Sequence, residues 1–110
     1  MNHFRDFYSV FRRRADAVAF VNGSEKYPDI HGRVLLYQQR RGVIVRAEII
    51  GLPKGSGACN SPIFAFHIHS GGSCTGNADD AFADTGMHYN PDDCMHPYHA
   101  GDLPPLFGAD

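Results

Sequence analysis

The stretch Gly42-Val43-Ile44-Val45-Arg46-Ala47-Glu48-Ile49-Ile50 decides the fold class, because small or apolar residues alternate in it with charged ones. Successive side chains of a β-strand point to opposite faces. One face of the extended chain therefore carries the apolar side chains of Val43, Val45, Ala47 and Ile49. Arg46 and Glu48 fall on the other face. The pattern predicts a strand that lies with one side against a core.

Three further strand signals surround this stretch. Residues 32–39 contain the apolar run 34–37, and Arg40-Arg41-Gly42 between the two strands is typical of a hairpin connection. Residues 17–21 form an apolar run that ends at the turn signal Asn22-Gly23. After a loop rich in glycine and serine, residues 63–70 have the composition of another strand. Four short strands of this kind predict an all-β protein with an antiparallel sandwich or barrel.

The two ends of the chain have different patterns. Phe4, Phe7, Tyr8 and Phe11 have helical spacing, so residues 1–15 are expected to form a short N-terminal helix. We expect these aromatic side chains to pack against the rest of the protein, and the arginines at 12–14 to lie in solvent at the end of the helix. Residues 71–110 have little periodicity and many metal-ligating side chains. A loop of this length is usually functional or disordered, and a metal ion could supply its order.

Composition excludes several classes of protein. A chain of 110 residues allows a single domain, and we expect one over residues 1–110, with strands in 16–70. Its formal charge of −2 argues against nucleic-acid binding. The apolar runs are far too short to span a membrane, and the N-terminus resembles no signal peptide, so a cytoplasmic location is expected. The chain has three cysteines, at 59, 74 and 94, so at most two can pair with each other. Their spacing indicates no cysteine-rich zinc site.

Histidines provide the clearest functional signal, because five of the seven lie between positions 67 and 99. His67 and His69 on one strand would project to the same side, about 7 Å apart along the chain. Such a pair suits metal binding, although a half-buried histidine pair is an equal alternative. Further residues of the kinds that bind metals follow in the sequence, namely His88, His96, His99 and Asp102. Three imidazoles and a carboxylate can form a tetrahedral site that suits Zn²⁺, and one imidazole can bridge two metals.

These residues resemble a known family. Phe64-Ala65-Phe66-His67-Ile68-His69, then Met87-His88-Tyr89-Asn90-Pro91, then His99-Ala100-Gly101-Asp102-Leu103 are similar, in order, to the GFHxH, HFNP and HxGDL signatures of copper–zinc superoxide dismutases. The resemblance covers about residues 17–107. It implies a Greek-key, immunoglobulin-like β-sandwich with a long metal-binding loop. It also implies an oxidoreductase with copper and zinc as cofactors, which converts superoxide to oxygen and hydrogen peroxide.

The resemblance assigns roles residue by residue. His67, His69 and His88 match copper ligands and are the expected catalytic residues. His88 matches the imidazolate that bridges copper and zinc, and it would carry the proton for peroxide formation. His88, His96, His99 and Asp102 match the zinc ligands, with His96 closer to His99 than in the familiar eukaryotic enzymes. Cys74 matches a cysteine that, in the bacterial version, pairs with one near the C-terminus. His3 and His31 lie outside the motifs and are expected to be ordinary surface histidines.

Other features of the family have no counterpart in these 110 residues. The family has a further segment with a fourth copper histidine, an arginine that guides superoxide and the partner of Cys74. We therefore expect a C-terminally incomplete superoxide dismutase-like domain, which forms a homo-oligomer or joins a complementing chain. A non-catalytic metal-binding domain and a gene fragment remain the alternatives to an enzyme.

Overall fold

The chain is an all-β protein with antiparallel strands in two sheets, as the alternating patterns predict. The computed structural model describes residues 9–55 and 62–108. Its strands are β1 (Ala17–Asn22), β2 (His31–Gln39), β3 (Gly42–Ile50), β4 (Ile63–His67) and β5 (Asp102–Phe107). A short 3₁₀ turn spans Ala83–Thr85. The chain divides into two compact units, Met1–Leu52 and Pro53–Asp110. Within the described part, no helix has the length and apolar character to cross a membrane.

The first unit contains a three-stranded sheet in the order β1-β2-β3. Gln39 pairs with Gly42, so Arg40 and Arg41 form the tight hairpin turn that the sequence predicts. The central strand β2 carries the buried apolar side chains of the described residues, Val34, Leu35 and Tyr37. A central strand has neighbours on both edges, and Val34, Leu35 and Tyr37 are accordingly the best shielded side chains of this sheet.

The predicted N-terminal helix is not confirmed. Residues 1–8 of that prediction lie outside the described residues. Among residues 9–15, only Ser9 and Val10 are helical, and the chain leaves the turn after Arg12. The Arg13 side chain instead donates hydrogen bonds to Asp16 and to the Gln38 carbonyl, at 3.0 and 2.9 Å. These contacts tie the segment to the end of β2, which is incompatible with a helix that continues to residue 15.

The second unit contains the pair β4 and β5, and here two sequence predictions are wrong. The strand expected over 63–70 ends at His67, and His69 forms an isolated bridge with His88. The loop expected over 71–110 ends in strand β5, which pairs with β4. Phe64 pairs with Leu106 and Phe66 with Leu103, so Pro104 and Pro105 both lie opposite Ala65. Proline cannot donate to a ladder hydrogen bond, and a bulge is one of the few places where a sheet accepts it.

Candidate metal centre

Three chain segments meet immediately after β4. The Ile68 N–H donates to the Gly101 carbonyl at 2.9 Å, and the Gly101 N–H donates to the Tyr89 carbonyl at 2.9 Å. The Tyr89 N–H closes this ring by donating to the Ile68 carbonyl at 2.8 Å. In the sequence, histidines lie on both sides of Ile68, directly before Tyr89 and two residues before Gly101. The ring of backbone hydrogen bonds therefore brings the histidines of three separate segments to one place.

One group of ligand atoms surrounds the carboxylate of Asp102. Its side chain is 5% exposed, and the Nδ1 atoms of His88, His96 and His99 lie 2.8, 3.3 and 3.1 Å from its oxygens. The Nδ1 atoms of His88 and His99 are 3.3 Å apart. Asp102 is the first residue of β5, and its Oδ2 accepts a hydrogen bond from the His99 backbone N–H at 3.0 Å.

The Asp102 carboxylate stays ionised in this setting. Burial by itself raises the pKa of Asp102. The hydrogen bond from the His99 N–H and the charge of the His99 ring act in the opposite direction, together with the rings of His88 and His96. These effects outweigh burial, and the pKa of Asp102 is lowered. An ionised oxygen is the form that binds a metal.

These four residues fit a zinc ion. Four ligand atoms at about 2.0–2.1 Å from a tetrahedral zinc are about 3.3–3.4 Å apart. The three histidine–Asp102 separations and the His88–His99 separation range from 2.8 to 3.3 Å, which is close to that edge length. All the ligand atoms of the group lie within 4.8 Å of one another. Among the described residues, Asp102 Oδ1 is the buried side-chain oxygen that has no hydrogen-bond partner. Its contact with His88 Nδ1, at 2.8 Å, lacks the geometry of a hydrogen bond, and a cation would satisfy this oxygen.

A second group consists of His67, His69 and His88, each of which presents a ring nitrogen to the others. The ring centres of His67 and His69 lie 4.0 and 5.1 Å from that of His88. His88 belongs to both groups. Because its Nδ1 faces Asp102, its Nε2 is the atom available to the second group. Three imidazole nitrogens suit copper or zinc.

The pKa of His67 is lowered, first by burial and then by the charge of His88. The Asp102 carboxylate opposes this shift without cancelling it. A lowered pKa keeps the imidazole neutral around physiological pH, and a neutral imidazole has the lone pair that a metal requires.

The structure adds two partners of His69 that the sequence reasoning missed. The Gly86 carbonyl lies 2.9 Å from His69 Nδ1, and Thr85 Oγ1 lies 3.2 Å from the same atom. Thr85 ends the 3₁₀ turn and Gly86 follows it, and nothing in the periodicity of residues 71–110 predicts these contacts. The one sequence signal for these contacts is the pair Thr85-Gly86, which comes directly before the His88 motif.

The remaining residues of the sequence analysis lie elsewhere. His31 is in the first unit, where its Nδ1 is 2.9 Å from the Asp29 carbonyl, and it belongs to neither group. His3 and Cys59 lie outside the described residues. Cys74 and Cys94 are exposed and unpaired within the described ranges 9–55 and 62–108.

The fold and the site together define an all-β protein with two adjoining clusters of side chains that could hold metal ions and that share one histidine. The family model for copper/zinc superoxide dismutase matches residues 30–110, and the chain belongs to that family. No curated protein and no solved structure gives a significant match.

Proposed function

We propose that this protein binds zinc through His88, His96, His99 and Asp102 and copper through His67, His69 and His88, and that it dismutates superoxide. The observation that carries the proposal is the shared His88, with Nδ1 toward Asp102 and its ring 4.0 Å from that of His67. An imidazole with two ligating nitrogens can join two metal ions. In this proposal the chain supplies one superoxide dismutase-like domain.

Each group of residues has a distinct task. Asp102 holds His88, His96 and His99 with their Nδ1 atoms together, and so fixes the orientation of the His88 ring. Bound copper would supply the one-electron chemistry that converts two superoxide ions and two protons to oxygen and hydrogen peroxide. In this proposal Nε2 of His88, when it is not bound to copper, would take up a proton and deliver it to the peroxide product. His67, half-buried and with a lowered pKa, stays neutral beside it.

The charge of the second unit favours one alternative, a metal-binding domain with little catalysis. Residues 53–110 contain one lysine, Lys54, no arginine, and aspartates at 79, 80, 84, 92, 93, 102 and 110. An acidic surrounding repels an anionic substrate and lowers its encounter rate. This alternative predicts full metal loading with slow consumption of superoxide.

The decisive experiment measures metal content and superoxide consumption on the same preparation. The protein is loaded with Zn²⁺ and then Cu²⁺, and each metal is counted by elemental analysis. We expect one zinc and one copper per chain, with activity that His88→Ala abolishes and His31→Ala preserves. Full loading without activity would favour the alternative, and failure to bind either metal would overturn both functions.

A further inference from the structure

The hydroxyl of Thr85 makes a contact that the metal ligands alone do not explain. Thr85 Oγ1 donates its hydrogen to the Phe82 carbonyl at 2.7 Å. Its oxygen also lies 3.2 Å from His69 Nδ1. A hydroxyl has one hydrogen, so toward His69 this oxygen acts as an acceptor. The Gly86 carbonyl, 2.9 Å from the same nitrogen, can only accept as well. Two acceptors at one nitrogen require that Nδ1 carries the proton.

We propose that Thr85 is a positioning residue for His69, whose hydroxyl oxygen fixes the ring as the Nδ1–H tautomer and so leaves Nε2 free to bind copper. The inference rests on the proposed function, because it concerns His69 as a copper ligand. A single acceptor fixes the tautomer only weakly on an exposed ring, since water competes for the N–H. A second acceptor from another direction also restricts rotation of the ring.

The backbone around Thr85 is anchored well enough for this task. The Gly71 N–H donates to the Thr85 carbonyl at 2.6 Å, and the Ser70 N–H donates to the Met87 carbonyl at 2.8 Å. These bonds tie the residues before His88 to the two residues that follow His69. The Thr85 hydroxyl therefore lies on a segment that is hydrogen-bonded directly to the residues next to His69.

Thr85→Val tests the proposal, because valine keeps the branched shape and removes the oxygen. Thr85→Ser should restore the contact. Thr75→Val is the matched control, since the Thr75 hydroxyl donates to Asp84 Oδ2 at 2.5 Å in the same loop and is not part of either ligand group. A zinc content near one per chain shows that a variant has kept its fold. If Thr85→Val does not keep its fold, Thr85→Ala replaces it.

Two measurements are made on every variant. Long-range ¹H–¹⁵N spectra of the metal-free protein report the tautomer of the His69 ring. Competition titration reports the Cu²⁺ affinity of the zinc-loaded protein, with the Cu²⁺ paramagnetic resonance spectrum as a check on the ligand set. In Thr85→Val we expect a smaller Nδ1–H population and about a tenfold loss of Cu²⁺ affinity, the lower end for a partner of a metal ligand. Zinc affinity should not change, and Thr85→Ser should recover most of the loss.

The two measurements separate this inference from the proposed function. If the unsubstituted protein binds no copper at His69, the proposed function fails, and the metal-free spectra still decide whether Thr85 sets the tautomer. An unchanged tautomer together with unchanged copper affinity in Thr85→Val would overturn the inference. An equal loss of affinity in Thr75→Val would also overturn it, because the effect would then belong to the loop rather than to the contact.

Discussion

At the scale of single residues, Asp102 links the two candidate metal-binding groups, because its carboxylate contacts His88, which belongs to both. Removing that carboxylate leaves three imidazoles without the negative charge that holds their Nδ1 atoms together. We expect Asp102→Ala to lower zinc affinity at least tenfold, in line with the loss of a metal ligand. Isothermal titration calorimetry with Zn²⁺ measures this affinity.

The matched control for Asp102→Ala is Asp79→Ala, which removes an exposed carboxylate from the same unit and leaves both ligand groups intact. Its zinc affinity should equal that of the unsubstituted protein. If the two variants lose the same affinity, Asp102 acts only through the overall charge of the unit.

His67 and His69 belong to one ligand group only, whereas His88 belongs to both. His67→Ala and His69→Ala should therefore abolish the Cu²⁺ electronic spectrum and keep zinc near one per chain. His88→Ala should affect both metals. Visible spectra and elemental analysis of the three variants check this pattern. Equal loss of both metals in His67→Ala would show that the two groups do not act as separate sites.

At the scale of elements, Gly101 permits the close meeting of the three segments around the site. A Cβ at this buried position would lie 2.4 Å from the Ile68 carbonyl oxygen and 3.1 Å from the Tyr89 Cβ. The first contact is with backbone, which cannot move aside without breaking the ring of hydrogen bonds. We expect Gly101→Ala to lower the free energy of unfolding of the metal-loaded protein by about 1–3 kcal/mol and to weaken zinc binding.

Gly72→Ala is the control, because a Cβ there would meet no atom within 4 Å. Its unfolding free energy should stay within about 0.5 kcal/mol of the unsubstituted protein. Denaturant unfolding followed by circular dichroism compares the two variants. Similar losses in both would mean that the close approach of the segments at Gly101 adds no cost of its own.

Asp16 ties the start of β1 to the end of β2, and this contact should depend on pH. The Gln38 backbone N–H donates to its carboxylate at 2.6 Å and Arg13 at 3.0 Å. The Gln38 hydrogen bond first, and Arg13 second, hold the pKa of Asp16 below its ordinary value. The folded state therefore binds this proton less readily than the unfolded state. The stabilisation is complete above the unfolded pKa of about 3.9 and is lost as the pH falls through the lower folded value.

Asp16→Asn measures this contribution. The stability difference between the variant and the unsubstituted protein should be constant from neutral pH to about pH 5 and should shrink below about pH 4. Asp29→Asn removes another carboxylate from the same unit and serves as the control. A difference that does not change with pH would show that the Asp16 charge has no part in the contact.

The elements also show where prediction from sequence succeeds and where it fails. β1 and β2 follow from apolar runs and β3 from alternation. In β3, Val45, Ala47 and Ile49 are half-buried, whereas Arg46 and Ile50 are exposed. β5 could not be predicted in this way, since Pro104 and Pro105 argue against a strand unless the opposing bulge is known. The early end of β4 depends on its pairing with β5 and therefore could not be predicted from the local sequence either. The six candidate ligands were named from motifs, and the structure places them in two adjoining groups.

At the scale of the whole molecule, the two units differ in what holds them together. The buried apolar side chains of the described residues, Val34, Leu35 and Tyr37, all lie in the first unit. In the described part of the second unit, no apolar side chain is buried. Its order rests on backbone hydrogen bonds and on the cluster around Asp102. A bound metal should therefore stabilise the second unit far more than the first.

Metal removal tests this difference. Hydrogen exchange followed by mass spectrometry compares the zinc-loaded protein with the protein after chelation. We expect the amides of Ile68, Tyr89 and Gly101 to exchange at least tenfold faster without metal, because opening the ligand cluster opens their ring of hydrogen bonds. Amides of β2 should keep their protection, since the pairing of β2 with β1 and β3 involves no ligand. Protection that falls equally in β2 would mean that metal binding stabilises the chain as one cooperative unit, and unchanged protection everywhere would mean that the second unit is ordered without metal.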